Sequence, residues 1–144
     1  MPLRPTYILF ADDDPEDQEM LTERFLKEIP DARFLCVRDG DQALKRLLEC
    51  ASDELPSMVI LDYQMPGLTA PEVLEALGRD GRYEGIPIVV WSTSGEQCFV
   101  DRCLSRGAQH YLVKPCGSQG LEKITRFLVS VFSSVTTPHW AMSL

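Results

Sequence analysis

Four places in the sequence put charged or hydroxylic side chains directly after an apolar run. Asp12-Asp13-Asp14 follows Tyr7-Ile8-Leu9-Phe10-Ala11, Asp62 follows Met58-Val59-Ile60-Leu61, Ser92 and Thr93 follow Ile86-Pro87-Ile88-Val89-Val90-Trp91, and Lys114 follows His110-Tyr111-Leu112-Val113. Short apolar runs rich in β-branched residues read as strands buried on both faces. A carboxylate inside such a strand would need a buried partner, whereas one at its end faces solvent at the mouth of the sheet. Asp62, which leads into the Pro66-Gly67 turn, is therefore the candidate reactive group. Three or more carboxylates in one crevice repel, and at neutral pH they hold a proton or take up a cation. With only oxygen ligands at hand and no histidine or paired cysteine nearby, that cation is a hard one: Mg²⁺ first, with Mn²⁺ or Ca²⁺ as alternatives. Mg²⁺ uses one or two carboxylates plus a phosphate oxygen, which leaves Asp62 an oxygen free to attack phosphorus and form an acyl phosphate. Lys114 and the Ser92 hydroxyl are suitable types to offset charge on the equatorial oxygens.

Those groups can cooperate only if the elements between them bring the strand ends together. Asp14 suits a helix N-cap, with Pro15 at the first position and Glu16 and Asp17 at the positive end of the dipole. Met20, Leu21, Phe25 and Leu26 supply the apolar face of that helix, and Arg33-Phe34-Leu35-Cys36-Val37 reads as a second strand closed by Asp39-Gly40-Asp41. A second helix runs through Ala43, Leu44, Leu47 and Leu48, a polar loop covers Ser52 to Ser57, and a third helix carries Val73, Leu74 and Leu77. Pro87 suits only the beginning of its strand. A weaker helix contains Phe99, Val100, Cys103 and Leu104, and a last one, from about Ser118, aligns Leu121, Ile124, Phe127, Leu128 and Val131 on one stripe. Five strands alternating with five helices predict an α/β fold: a five-stranded parallel sheet, doubly wound, with helices on both faces. In such sheets the ligand site lies outside the carboxyl ends of the strands, where the winding direction reverses. That rule gathers Asp12 to Asp14, Asp62, Ser92 with Thr93, and Lys114.

The 144 residues suffice for one domain with a real core, expected over about residues 5 to 134 with a short tail over 135 to 144. A formal charge of −8 works against a sequence-independent hold on nucleic acid or anionic lipid. No apolar run is long enough to span a bilayer and the N-terminus lacks the apolar core of a signal peptide, so no membrane association and a cytoplasmic location are expected. Five cysteines without a CxxC pair fit reduced thiols better than a disulfide framework or a zinc site.

Together, Asp12-Asp13, Leu61-Asp62-x-x-Met65-Pro66-Gly67, Ser92, and Tyr111-x-x-Lys114-Pro115, in this order on this strand pattern, resemble the receiver domain of two-component response regulators, over essentially the whole chain. The resemblance implies the flavodoxin-like strand order 2-1-3-4-5 and a phosphorylation-dependent signalling switch, with no output domain expected. Asp62 would accept a phosphoryl group from a phosphohistidine on a sensor histidine kinase. Asp13, Asp62 and the Gln64 backbone carbonyl would ligate Mg²⁺, with Asp12 acting mostly through water. Lys114, Ser92 and the backbone amides of Tyr63 and Thr93 would bind phosphoryl oxygens. Ser92 and Tyr111 match the family's switch pair, and the Lys114-Pro115 bond would be cis. Leu68-Thr69-Ala70 departs from the more usual Met-Asp-Gly, and the loop over Ala51 to Ser57 is long. That loop and the Asp14-Pro15-Glu16-Asp17 start resemble stand-alone receivers paired with phytochrome-type kinases. A homodimer through the fourth helix, fifth strand and fifth helix, and a downstream protein partner the sequence does not name, are further implications.

Blander readings stand beside these. Asp14 is best read as a cap, Tyr111 on a strand is more often simply packed, and Thr93 and Ser94 compete with Ser92, which is chosen by counting from Pro87. His110 and His139 read as ordinary histidines, and the packing of Trp140, Met142 and Leu144 stays open. Two other functions compete: a pseudo-receiver that binds its partner without phosphorylation, against which the complete acid, hydroxyl and lysine set argues, and a metal-dependent phosphohydrolase. The second usually wants an acid/base carboxylate two residues past the nucleophile, where this chain has Gln64.

Overall fold

The computed structural model describes residues 6–136. The tail residues His139, Trp140, Met142 and Leu144 lie outside the described residues. Five strands and five helices alternate: β1 Tyr7–Ala11, α1 Pro15–Glu28, β2 Arg33–Val37, α2 Gly40–Glu49, β3 Met58–Asp62, α3 Ala70–Gly78, β4 Ile88–Ser92, α4 Gln97–Ser105, β5 His110–Val113 and α5 Ser118–Thr136. All strand pairs are parallel, in the order β2-β1-β3-β4-β5, as expected. The winding reverses between β1 and β3, so Asp12 and Asp62 end adjacent strands at the point where ligand crevices open in such sheets.

Every residue of β1, β3 and β4 is buried, because helices cover both faces of the sheet. Alternation along the strands sorts the core into two layers. Ile8, Phe10, Met58, Ile60, Val89 and Trp91 face Leu21 and Phe25 of α1 and Leu121, Leu128 and Phe132 of α5. Leu9, Val59, Leu61 and Val90 face Ala43 and Leu47 of α2, Val73, Leu74 and Leu77 of α3, and Cys103 of α4. The α1/α5 layer is the aromatic one, with Phe25 edge-on to Phe34 and Phe132 at 5.2 and 5.4 Å.

Several local signals act as their chemistry requires. Asp14 Oδ1 accepts from the Glu16 amide at 2.9 Å and Pro15 occupies the first helical position of α1. Asp39, read as a strand-end marker, caps α2 by accepting from the Gln42 amide at 2.7 Å. Thr69, the departure after the Pro-Gly turn, caps α3: its amide and hydroxyl both donate to Glu72 Oε1. Pro87 falls just before β4, where it needs no N–H, and its carbonyl accepts from Val59. The segment 51–57 holds one 3₁₀ turn, Ser52–Glu54, pinned by the Tyr7 hydroxyl donating to the Glu54 carbonyl.

The Lys114-Pro115 bond, expected cis, is trans, as is every peptide bond among the described residues. The trans form is the lower in energy for an X-Pro bond, and the chain turns toward α5 at Gly117, whose φ of 101° lies in the left-handed region that glycine tolerates. Among the described residues no helix is long and apolar enough to cross a membrane.

Candidate functional site

The carboxyl ends of β1, β3, β4 and β5 open into a crevice of about 470 Å³ lined by Asp13, Asp14, Asp17, Asp62, Gln64, Ser92, Thr93 and Lys114. Asp12 forms its buried floor, at 0% exposure. One oxygen each from Asp12, Asp13 and Asp62 lie within 4.8 Å of one another. Above them Lys114 Nζ reaches three carboxylates: Asp17 Oδ2 at 2.8 Å, Asp12 Oδ2 at 3.0 Å and Asp62 Oδ2 at 3.4 Å.

The chain positions each group for a local reason. Asp12 is held by three donors: Trp91 Nε1 at 3.1 Å and Lys114 Nζ on Oδ2, and the Asp14 amide at 2.9 Å on Oδ1. It is thus well satisfied by protein, while Asp13 stays exposed. Gln18 of α1, a buried amide, donates to the Phe10 and Val37 carbonyls and ties α1 to the ends of β1 and β2. Gly67, at φ 78°, turns the β3–α3 loop against α2, where any side chain at 67 would meet the Asp41 carboxylate. The Gly40 amide donates to the Pro66 carbonyl at 3.3 Å in the same contact. That seam fixes the loop carrying Gln64.

Electrostatics follow from the count of charges. Burial, then the neighbouring Asp12 carboxylate, push the Asp62 carboxyl from 3.8 to about 7, against the pull of Lys114. Burial likewise raises Asp12. For Lys114 burial acts downward, but the hydrogen bonds to Asp17 and Asp12 and the charge on Asp62 outweigh it, and the ammonium is held well above its usual value. Its Nζ also sits 5.0 Å from the centroid of the Trp91 ring. One ammonium facing three carboxylates within 4 Å leaves negative charge unbalanced. All the donors are hard oxygens and Asp62 resists ionising alone, so a hard divalent cation fits the cluster of Asp12, Asp13 and Asp62, in which Asp12 already has protein donors on both oxygens.

Ser92 and Lys114 share a strand contact, the Lys114 amide donating to the Ser92 carbonyl at 2.7 Å, and Ser92 Oγ accepts from the Ser94 amide at 3.2 Å. Tyr111 is half-buried beside Ser92, and its hydroxyl donates to the Ser94 carbonyl at 2.6 Å, tying β5 to the β4–α4 loop. Thr93 is exposed at the crevice rim. The Tyr63 amide, expected to be free for a phosphoryl oxygen, instead donates to the Trp91 carbonyl at 3.3 Å. The parallel pairing of Asp62 with Trp91 continues one residue past β3 and uses that N–H.

The structure thus gathers Asp12, Asp13, Asp62, Gln64, Ser92, Thr93 and Lys114, sets Tyr111 on β5 beside Ser92 and outside the crevice lining, and turns Pro115 out of that lining. It adds two residues the sequence pattern does not single out for the site, Asp17 and Trp91. Helical spacing holds the signal for Asp17: as the third residue of α1 it points back toward the helix N-terminus.

Fold and crevice define a doubly wound parallel α/β protein with an acidic, lysine-bridged site where the winding reverses. The model of the response regulator receiver domain matches residues 8–126, and the chain belongs to that family. It is 32% identical over 116 residues to the two-component response regulator ORR11 of Oryza sativa, covering 77% of this chain and 72% of that protein. It is 30% identical over 119 residues to ORR7 of Oryza sativa subsp. japonica, where the match covers 83% of this chain and 54% of the relative. Among solved structures, the Mn²⁺-bound form of response regulator Rcp1 superposes with a TM-score of 0.79 at 24% identity, over 93% of this chain and 97% of that one. The bacteriophytochrome response regulator AtBRR gives 0.72 at 26% identity, over 96% and 97%. The expected family and strand order are both confirmed.

Proposed function

We propose that the chain is a phosphorylation-dependent signalling switch in which Asp62 is the phosphoacceptor. The observation that carries this reading is the Asp62 carboxyl itself, 6% exposed at the end of β3, with a second acid and Lys114 Nζ at 3.4 Å. A carboxylate oxygen of Asp62 attacks the phosphorus of a phosphohistidine on a partner kinase. The new O–P bond forms as the P–N bond breaks, and the electron pair and a proton go to the imidazole.

Asp13, Asp62 and the Gln64 carbonyl would hold Mg²⁺, or Mn²⁺ in its place, with Asp12 acting through water because its own oxygens are already engaged. When bound, the ion neutralises charge on the phosphoryl oxygens. Lys114, the Ser92 hydroxyl and the Thr93 amide supply further donors to those oxygens; the Tyr63 amide would join them only by leaving Trp91. Ser92 and Tyr111 form the switch. Phosphorylation draws the hydroxyl toward the crevice, and the Tyr111 ring follows as the β4–α4 loop, to which it is bonded through Ser94, moves. The response is a shift between two arrangements, limited by how much better the phosphoryl group binds one of them.

The donor is a histidine kinase, of phytochrome type on the strength of the Asp14-Pro15-Glu16-Asp17 start and of a structural relative described as a bacteriophytochrome response regulator. Exposed Leu104 and Val113 favour a homodimer or a downstream partner on the α4, β5, α5 face. The free thiols suit a cytoplasmic location. Catalysis is confined to slow hydrolysis of the chain's own acyl phosphate. Intact mass after incubation with acetyl phosphate and Mg²⁺ tests the reading: one phosphoryl adduct is expected on the native chain and none on Asp62→Asn. An adduct of equal stoichiometry on Asp62→Asn would overturn it.

A further inference from the structure

The shortest contact of Lys114 Nζ is to Asp17, an acid on a helix and not at a strand end. Its placement follows from how α1 begins. Asp14 is the N-cap, Pro15 the first helical residue and Asp17 the third. An acid at that third position ordinarily reaches back to the backbone N–H of the cap. Here the Asp14 N–H is already taken by Asp12 Oδ1 at 2.9 Å, which leaves the Asp17 carboxylate free to take Lys114 at 2.8 Å.

An ammonium has three N–H donors, and Lys114 has three carboxylate acceptors within 4 Å. The contact to Asp62 is the longest of the three, so a phosphoryl oxygen on Asp62 gains a short bond from the ammonium only as one of the two closer acids lets it go. Asp12 cannot, being fully buried and fixed by Trp91 and the Asp14 amide. Asp62 would itself carry the phosphoryl group. Asp17, whose side chain is 22% exposed, can exchange the lysine for water at small cost.

Resting on the function proposed above, we infer that Asp17 is a positioning residue that holds Lys114 toward α1 and competes with the phosphoryl group for it. Phosphoryl binding trades the Lys114–Asp17 ion pair for a Lys114–phosphoryl pair, and the freed carboxylate hydrates at the mouth of the crevice. Asp17 therefore weakens retention of a phosphoryl group without entering the bond-making step.

The test uses beryllofluoride as a non-covalent phosphoryl mimic, titrated against the full chain with Mg²⁺. Fluorescence of Trp91, which touches both Lys114 and Asp12, reports binding. Asp17→Asn, which keeps the shape and removes the charge, should lower the half-saturating concentration about three- to tenfold, the worth of one partly exposed charge-assisted hydrogen bond. Asp17→Ala should do the same, and Asp17→Glu should restore weaker binding. A merely structural role would move the thermal midpoint of these variants and leave the half-saturating concentration unchanged. Equal or weaker binding by both Asp17→Asn and Asp17→Ala, with the native chain binding normally, overturns this inference alone. A native chain that binds no beryllofluoride and takes no label from acetyl phosphate overturns the proposed function with it.

Discussion

Two cations hold opposite ends of this sheet, and they are balanced in opposite ways. Near the amino ends of the strands, Arg82 grips one carboxylate, Asp80, through Nε at 3.0 Å and a terminal nitrogen at 2.9 Å, and spends its other donors on the Cys50, Leu47 and Leu48 carbonyls that end α2. The Tyr83 hydroxyl adds a bond to the Leu47 carbonyl. One charge meets one charge, and a helix C-terminus finds the cation its dipole favours. At the carboxyl ends, Lys114 meets Asp12, Asp17 and Asp62 at once. The first end is closed by its own side chains. The second is left short of positive charge, and that deficit gives the crevice a use for a divalent cation.

The contrast is broken most strongly by protons. With Asp62 pushed up to about 7, Mg²⁺ has to displace a proton below that pH. The apparent Mg²⁺ affinity should fall about tenfold per pH unit between pH 7 and pH 5, measured by Trp fluorescence titration. A flat profile over that range would mean the crevice is not short of charge.

Next in size is Asp62→Asn. A folded-state value above the unfolded one means that this carboxyl's stability contribution is complete near pH 4 and is lost as pH rises through about 7. In metal-free protein at pH 8 the substitution should therefore stabilise, by on the order of 2 kcal/mol in urea unfolding, and the gain should vanish near pH 4. Trp91→Phe keeps an aromatic side chain but loses the indole's second ring from the core and one donor to fully buried Asp12, and should cost about 2 kcal/mol by the same measurement. The smallest effect on the crevice belongs to Arg82→Gln. It should lower the thermal midpoint by loosening the end of α2, yet leave the extent of labelling by acetyl phosphate per folded molecule unchanged; reduced labelling would show that the two ends are coupled.

Much of this arrangement is written in local patterns. The bounds of β1, β2 and β5 match the expected runs residue for residue, while β3 extends its run by Asp62 and β4 begins two residues later than its run, at Ile88. The strands buried on both faces, β1, β3 and β4, are the ones with near-continuous apolar sequence. The strand-end rule gathers Asp12, Asp62, Ser92 and Lys114 without any knowledge of side-chain contacts. What the sequence does not display depends on directions in space. Trp91 reads as one more core residue, and only the parallel register beside Asp62 turns its N–H onto Asp12. Arg82 looks like surface charge in a turn, and the α2 carbonyls it caps lie more than thirty residues earlier. The phosphoryl role of the Tyr63 amide comes from the resemblance, and nothing local reveals that the β3–β4 ladder runs one residue further. The cis bond expected at Lys114-Pro115 rests on a resemblance, and this chain makes its turn at Gly117.

The most direct measurement is to locate the phosphoryl group. Borohydride reduces an acyl phosphate to the alcohol and leaves free carboxylates alone, so peptide mapping of the labelled, reduced chain marks the residue that carried phosphorus. Conversion at residue 62 alone is expected. Conversion at Asp12, Asp13 or Asp17, or a stably labelled chain with no reducible acyl phosphate, would contradict the assignment of Asp62 as the acceptor.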